Sequence, residues 1–420
     1  MPVDSALPAC PVTSGDINIY HARVIADQQI TFVLHFSSLL DLDRLNRAFA
    51  LLVRTFPILS SVIRVKAFRF RREQVPDYCP EAKLAEGNEP VSEVIERFTG
   101  TACDPEREPS LKLLLIRRSG RDTLCFKIDH VATDASGLKF LLYALASAYA
   151  KGNIDPVFNP NRGDGQIFRR FSLFALLNAA RRAKLPRPGQ GLITGPFDAQ
   201  PTFIEQLRLE HGEQERLRAA AKQAGATLND VLLAALYRAV WQLRQADQAG
   251  AFPVMVPVDM RRYLPKHRQA VVANLSSAVY PSLAPVSGES LPDTLARVTA
   301  IMQGFKRKSF GLPALILMKL GAMRGGRMMQ SRYQLAASRQ SRFICLSNFG
   351  VIDKALCNFG APLSQAYGVG PVQYAPGLLL AVSAFDSTLH LTVQGNDAER
   401  FQPFVHNFLN SIVSELARWQ

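Results

Sequence analysis

No Cys-x2-Cys pair occurs in this 420-residue chain, whose six cysteines (Cys10, Cys79, Cys103, Cys125, Cys345, Cys357) are scattered. That spacing argues against a zinc site and a disulfide framework, and the expected compartment is a reducing cytoplasm. Met1 to Tyr20 have neither a basic n-region nor an apolar core, so no signal peptide is expected. No apolar run reaches the ~20 residues that a bilayer span needs. The best candidate, Leu312 to Met323, has twelve residues and is interrupted by Lys319. Acidic residues are in deficit, 35 Asp and Glu against 49 Lys and Arg, for a formal net charge of +14. They are missing altogether from Phe305 to Arg342, a stretch with nine Lys or Arg. No nucleic-acid fold or base-stacking motif accompanies this basic balance, so nucleic acid is not an expected partner. No internal repeat is legible.

What is present describes a globular chain with a large core: 48% hydrophobic and 20% charged residues. The length suggests two domains of about 200 residues each. Prolines (Pro156, Pro160, Pro186, Pro188, Pro196) and glycines interrupt the sequence between Asn153 and Pro201. This reads as a crossover, dividing the chain into 1–160, 161–200 and 201–420. Inside it, Phe168 to Leu185 sets Phe171, Phe174, Leu176 and Leu177 among Arg169, Arg170, Arg181, Arg182 and Lys184. The stretch reads as a helix packed on the body with a solvated basic face. A membrane-surface helix is the other reading, and it keeps a peripheral membrane contact open.

Periodicity predicts strands at Ile30–Phe36, Leu111–Arg118, Thr123–Ile128, Thr202–Leu209, Val254–Arg262, Ile344–Val351, Gly377–Ala384 and Thr388–Gln394. Helices are expected from Leu42 after an Asp41 cap, over Leu138–Ala150, Glu213–Gln223 and Val231–Leu243, and over Phe404–Trp419. Phe68 to Glu108, rich in proline and charge, gives no clear pattern.

The stretch Leu124–Gly137 joins a strand to a helix through a turn with His130 and, four residues later, Asp134. Histidine is the side chain best suited to moving a proton near neutral pH. Asp134 could orient the ring, or turn away and pin the loop through a cation elsewhere. Spacing alone also fits a histidine that is merely a satisfied polar group at a strand end. His35, alternating with Leu34 and Phe36, reads as sheet-packed or solvated.

His130 to Asp134 resembles the His-x-x-x-Asp motif of the superfamily containing chloramphenicol acetyltransferase, nonribosomal-peptide condensation domains, plant-type acyltransferases and mycobacterial polyketide-associated acyltransferases. Those families commonly read His-His-x-x-x-Asp-Gly. Here Asp129 replaces the first histidine and Ala135 the glycine, while His130 matches the catalytic histidine. Thr227-Leu228-Asn229-Asp230 before an apolar helix, Asp259-x-Arg261 with downstream Asn274, and Ser347-Asn348-Phe349-Gly350 resemble further landmarks.

The resemblance implies an α/β protein of two chloramphenicol-acetyltransferase-like subdomains, each a mixed sheet with flanking helices, and a channel between them. It implies an acyltransferase moving an acyl group from a thioester to a hydroxyl or amine, with no covalent acyl-enzyme, no metal and no bound redox cofactor. His130 would be the base. Arg261, with Arg262 as the near alternative, would pair with Asp134 and make that aspartate structural. Ser347 and Asn348 would face the histidine from the channel floor and hydrogen-bond the anionic intermediate. The acid-free run, through Arg324, Arg327 and Arg332, would suit the phosphates of coenzyme A or an acidic acyl carrier protein. The acceptor would be a small molecule or a lipid. Asp129 and Ala135 motivate a different reading, a non-catalytic relative that binds acyl chains or a carrier protein. Epimerisation or hydrolysis on the same scaffold is a third.

Overall fold

The computed structural model describes residues 10–155, 158–184, 192, 201–243, 250–339, 343–374 and 376–418, apart from the side chains of His211 and Arg324. The first half runs α1 (Ser14–Ala22), β1 (Ala26–Asp27), β2 (Gln29–Phe36), α2 (Leu42–Thr55), β3 (Ser61–Lys66), β4 (Arg69–Gln74), β5 (Lys83–Ala85), α3 (Val91–Gly100), β6 (Leu111–Arg118), β7 (Arg121–Asp129) and α4 (Ala135–Lys151). Two short helices follow, α5 (Gly165–Phe168) and α6 (Leu173–Arg181). The second half begins with β8 (Thr202–Leu209), α7 (His211–Gln223), α8 (Leu228–Leu243), β9 (Phe252–Asp259), β10 (Ser276–Val279) and β11 (Ser282–Leu283). It then runs α9 (Leu291–Arg307), α10 (Leu312–Ala322), α11 (Arg327–Ser338), β12 (Ile344–Val351), β13 (Leu363–Val369), β14 (Val372–Gln373), β15 (Leu378–Phe385), β16 (Thr388–Asn396) and α12 (Ala398–Ala417).

Local chemistry fixes the elements that carry the site. Asp41 caps α2 by accepting the Arg44 N–H at 2.9 Å. Ser119 and Gly120, both at positive φ, form the tight turn of the β6–β7 hairpin. Asp386 and Ser387 do the same between β15 and β16. Thr227 and Asp230 exchange hydrogen bonds at the start of α8, with the Asp230 carboxylate accepting the Thr227 N–H at 2.9 Å.

Two mixed sheets result. One has the order β13-β2-β7-β6-β5, antiparallel except for β5 on β6. The other runs β1-β14-β16-β15-β12-β9-β10, with β8 on β16 and β11 on β9. In it β12 lies parallel to both β15 and β9. The helices α2 and α4 cover one face of the first sheet, burying Leu45, Phe49, Leu52, Leu138, Leu141 and Leu145 against Phe32, Leu124 and Phe126. On its other face α3 packs Val94 and Ile95 near Cys125 and Val33. The strand β7 is therefore buried on both sides, and even Lys127 folds inward, donating to the Phe98 and Thr101 carbonyls at 2.5 and 2.8 Å. Burial pulls that lysine down to about 8. The second sheet carries α8, α9 and α12 over its own core.

The sheets exchange strands, a feature the sequence pattern did not carry. β13, late in the chain, pairs with β2 of the first sheet, and β1, early in the chain, pairs with β14 of the second. The uninformative region from Phe68 to Glu108 holds β4, β5 and α3. The amphipathic stretch from Phe168 to Leu185 is not one helix: α5 stops at Phe168 and α6 restarts after Ser172, which caps it by accepting the Ala175 N–H at 3.2 Å. Among the described residues no helix is long and apolar enough to cross a membrane.

Candidate active site at the junction of the two halves

His130 follows the last residue of β7, and its N–H donates to the Gln28 carbonyl at 2.7 Å. The turn closes through the Ala132 N–H to the Asp129 carbonyl at 3.0 Å, and Asp134 then caps α4 by accepting the Gly137 N–H at 3.0 Å. Gly137 has a steric reason to be glycine, since a Cβ there would lie 1.9 Å from the Thr133 hydroxyl.

Asp134 is held from the second half of the chain. Arg261 meets it with both terminal nitrogens, Nη1 to Oδ2 and Nη2 to Oδ1, each at 2.9 Å. The Leu275 N–H and the Ser276 hydroxyl also donate to Asp134 Oδ2, at 2.8 and 3.1 Å. Burial pushes this carboxyl up, but Arg261 and the N–H donors outweigh it and hold it below the usual range. The guanidinium of Arg261 also binds the Val271 and Ala273 carbonyls. This is a fork-on-fork ion pair with both carboxylate oxygens engaged, a geometrically specific arrangement. Arg262 points elsewhere, over the rings of Tyr263 and Phe310.

The ring of His130 is held by Asn274. Three acceptors surround the Asn274 Nδ2: Asp16 Oδ1 at 2.9 Å, the His130 carbonyl at 2.8 Å and the Val131 carbonyl at 3.2 Å. That surrounding fixes the amide orientation, so Oδ1 faces His130 Nδ1, at 3.0 Å. An acceptor there requires the proton on Nδ1 and leaves the lone pair on Nε2. Burial holds His130 below the ordinary histidine value, with Asp134 and Asn274 opposing, so the ring is neutral at pH 7.

Behind Asn274 stands a buried charge cluster. Asp16 takes Arg72 Nη2 at 3.2 Å, Arg162 Nη1 at 3.3 Å and the Thr13 N–H at 3.2 Å. Burial raises the Asp16 carboxyl, and Arg162 and Arg72 more than offset this. Arg162 also donates to the Ala132 carbonyl at 2.7 Å and the Val272 carbonyl at 2.9 Å, tying the histidine turn to the segment bearing Asn274. Gly15 allows the close approach, because a Cβ there would sit 2.6 Å from Asn274.

The two substitutions in the motif are accommodated. Asp129 does not address the histidine ring: it is fully buried, accepts Arg23 Nη1 at 2.6 Å and caps the Val131 N–H at 2.8 Å. Burial pushes it up to about 6, with Arg23 opposing. Ala135 is the first residue of α4, in a helical conformation that needs no glycine.

The remaining expected residues have partners outside this cluster. Ser347 is half-buried on β12, in register with Ala381. Asn348 is exposed, its amide donating to Asn229 and its Oδ1 accepting the Gly350 N–H at 2.7 Å. Among the described residues no hydrogen bond links Ser347 or Asn348 to His130. Arg327 stacks on Phe68 at 4.5 Å, Arg332 is exposed on α11, and the side chain of Arg324 lies outside the described residues. His35 is sheet-packed, with Nδ1 2.9 Å from the Thr123 hydroxyl and its ring against Tyr367. The sequence pattern left Asp16, Arg72 and Arg162 unassigned. Thr13 and Asp16 form a capping box at the start of α1, a local signal that says nothing of a carboxylate behind Asn274.

This architecture matches solved structures along its whole length. The first condensation domain of the CDA synthetase superposes with TM-score 0.74 at 18% identity, covering 97% of this chain and 96% of that one. The condensation domain from the Monacolin K polyketide synthase MokA gives TM-score 0.71 at 14% identity, covering 99% and 98%. The likeness is one of fold: the chain has the two-subdomain, chloramphenicol-acetyltransferase-like fold of these condensation domains.

More particularly, residues 200–356 match the family described as phthiocerol/phthiodiolone dimycocerosyl transferase C-terminus. Polyketide synthase associated protein 5 from Mycobacterium tuberculosis superposes with TM-score 0.64 at 16% identity, covering 96% of each chain. A curated relative, "Uncharacterized protein Rv2305" of Mycobacterium tuberculosis (strain ATCC 25618 / H37Rv), is 28% identical over 308 residues, 67% of this chain and 68% of its own length.

Proposed function

We propose that this protein is an acyltransferase that moves an acyl group from a thioester, of coenzyme A or of a carrier-protein phosphopantetheine, to a hydroxyl or amine. The observation that carries the reading is the Asn274 contact, whose oxygen accepts from the Nδ1–H tautomer of His130 and leaves the Nε2 lone pair free as a base. In the reaction Nε2 takes the proton of the acceptor O–H or N–H as that atom attacks the thioester carbonyl. The tetrahedral oxyanion collapses, the carbon–sulfur bond breaks, and the imidazolium returns the proton to the departing thiolate. General-base help of this kind is worth about 10²–10⁴-fold. Asp134 and Arg261 hold the turn and touch no reacting atom. Substrates enter where the halves meet, because His130 and Asp134 come from one and Asn274 and Arg261 from the other. Ser347 donates to the oxyanion in this reading. The carboxamide of Asn348, engaged by Asn229 and Gly350, must release one contact to assist. No resident metal or redox group enters the scheme.

Two features favour the catalytic reading over a binding-only relative. Asp129 is bound to Arg23 and leaves the base unencumbered, and Ala135 adds no strain to the turn. The test is product formation. Acyl-coenzyme A and acyl carrier protein thioesters are mixed with a panel of alcohols and amines, and esters, amides and free thiol are quantified. Thioester binding with no acylated product from any acceptor would reject the enzyme in favour of the binding module.

A further inference from the structure

Two segments of the chain contain no carboxylate, Gly165 to Lys184 and Phe305 to Arg342. They are far apart in sequence, yet the fold packs α6 of the first against α10 of the second, and α11 also packs on α10. The same elements hold the greatest exposure of large apolar side chains. On α6, Leu173, Phe174 and Leu177 are 72%, 73% and 51% exposed, and on the second segment Leu320, Met323 and Met328 are 53%, 62% and 52% exposed.

The exposure on α6 is directional. Leu173, Leu177 and Arg181 follow one another at helical i, i+4 spacing on the outer side, with Phe174 beside them. Leu176 and Ala179 take the inner side and pack on the core. Arg169, Arg170, Arg181 and Arg182 are all exposed, and none has an ion-pair partner among the described residues. By contrast, Lys319 and Lys306 of the second segment are paired, with Asp164 at 2.8 Å and Asp230 at 3.9 Å.

We propose that the face formed by α6, α10 and α11 docks on the surface of an anionic lipid bilayer. Its chemistry is that of the headgroup boundary: apolar tips that need hydrocarbon, set among cations that need phosphate. An acidic carrier protein would satisfy the arginines but leave Leu173, Phe174 and Leu177 without an apolar medium. The contact is interfacial, as no described helix can cross the bilayer. The proposal stands independently of the acyl-transfer reading, since it invokes no residue of the histidine cluster.

The experiment is co-sedimentation of the whole protein with phosphatidylcholine vesicles, with and without about one third phosphatidylglycerol. The wild type should partition at least about tenfold more strongly onto the anionic vesicles and lose this as salt rises. Arg181→Gln with Arg182→Gln should weaken anionic binding about 30-fold, roughly fivefold per cation. The triple variant Leu173→Ser, Phe174→Ser, Leu177→Ser should weaken it at least about tenfold at unchanged melting temperature, since these side chains carry no core. His130→Ala should bind like the wild type. Equal binding to both vesicle types, no binding to either, or an unaltered triple variant would overturn the proposal. So would saturable binding of an acidic carrier protein that is lost in the triple variant while vesicle binding persists.

Discussion

Charges serve opposite ends in two regions of this molecule. Around His130 four arginines have carboxylates: Arg261 with Asp134, Arg72 and Arg162 with Asp16, Arg23 with Asp129. Apart from the partly exposed Arg23 these groups are buried, and each pair ties down a piece of backbone. On the α6–α10–α11 face the exposed cations of α6 stand without carboxylates beside exposed leucine, phenylalanine and methionine. Desolvated charge is tolerated only when paired, so the first arrangement holds a shape. Solvated unpaired charge adds little to stability and is free to meet something outside the chain.

The sharpest way to separate a base from a scaffold residue within the paired region is His130→Ala. Acyl transfer is expected to fall about 10²–10⁴-fold, with melting temperature and donor affinity nearly unchanged. Near-wild-type single-turnover rates in that variant would end its assignment as base.

Asp134→Asn and Arg261→Gln should instead act on the fold. Each leaves a buried partner uncompensated and should cost about 3–5 kcal/mol, while the double variant loses far less than the sum. Denaturant titration of the three variants gives the coupling, and simple additivity would mean that the clamp holds nothing.

Asn274→Ala probes the residue between those extremes. Losing the ring's orientation should lower the rate about 10–100-fold, the scale seen when the partner that orients a metal-ligating histidine is removed. A readout distinguishes positioning from general damage. The Asn274 contact favours the charged ring, so its removal should move the low-pH limb of the rate profile to lower pH. A rate loss with an unmoved limb would point to damage of the fold alone.

The smallest effect is expected at Asp129. Its folded value, about 6, lies above that of an unfolded aspartate, so the folded state binds the extra proton. Stability from this group is therefore greatest at the acid end and declines as pH rises from about 4 through about 6. Asp129→Asn lacks that titration. The difference in melting temperature, wild type minus variant, should shrink as pH rises through this window, and a constant difference would remove the burial argument.

Local rules made much of the frame legible before any coordinates. Alternation gave the strands Leu111–Arg118, Thr202–Leu209 and Ile344–Val351 at their observed bounds, and Asp41 announced the start of α2. These features depend on neighbours in sequence, where period and capping operate. The four-residue spacing of His130 and Asp134, with Arg261 far downstream, drew notice through family resemblance; spacing alone favoured a satisfied strand-end histidine.

What the tertiary structure alone decided is everything that depends on distant partners. A sequence cannot say that Asp16 lies behind Asn274, 258 residues away, or that Asn274 turns its oxygen to His130. It cannot say that β13 crosses to pair with β2, since register is set by the strand it meets. Nor can it say that Asp129 is answered by Arg23 rather than by the histidine beside it. The two acid-free stretches were visible as composition. Only their packing made them one face, because side chains distant along the chain become neighbours when the cores beneath them close.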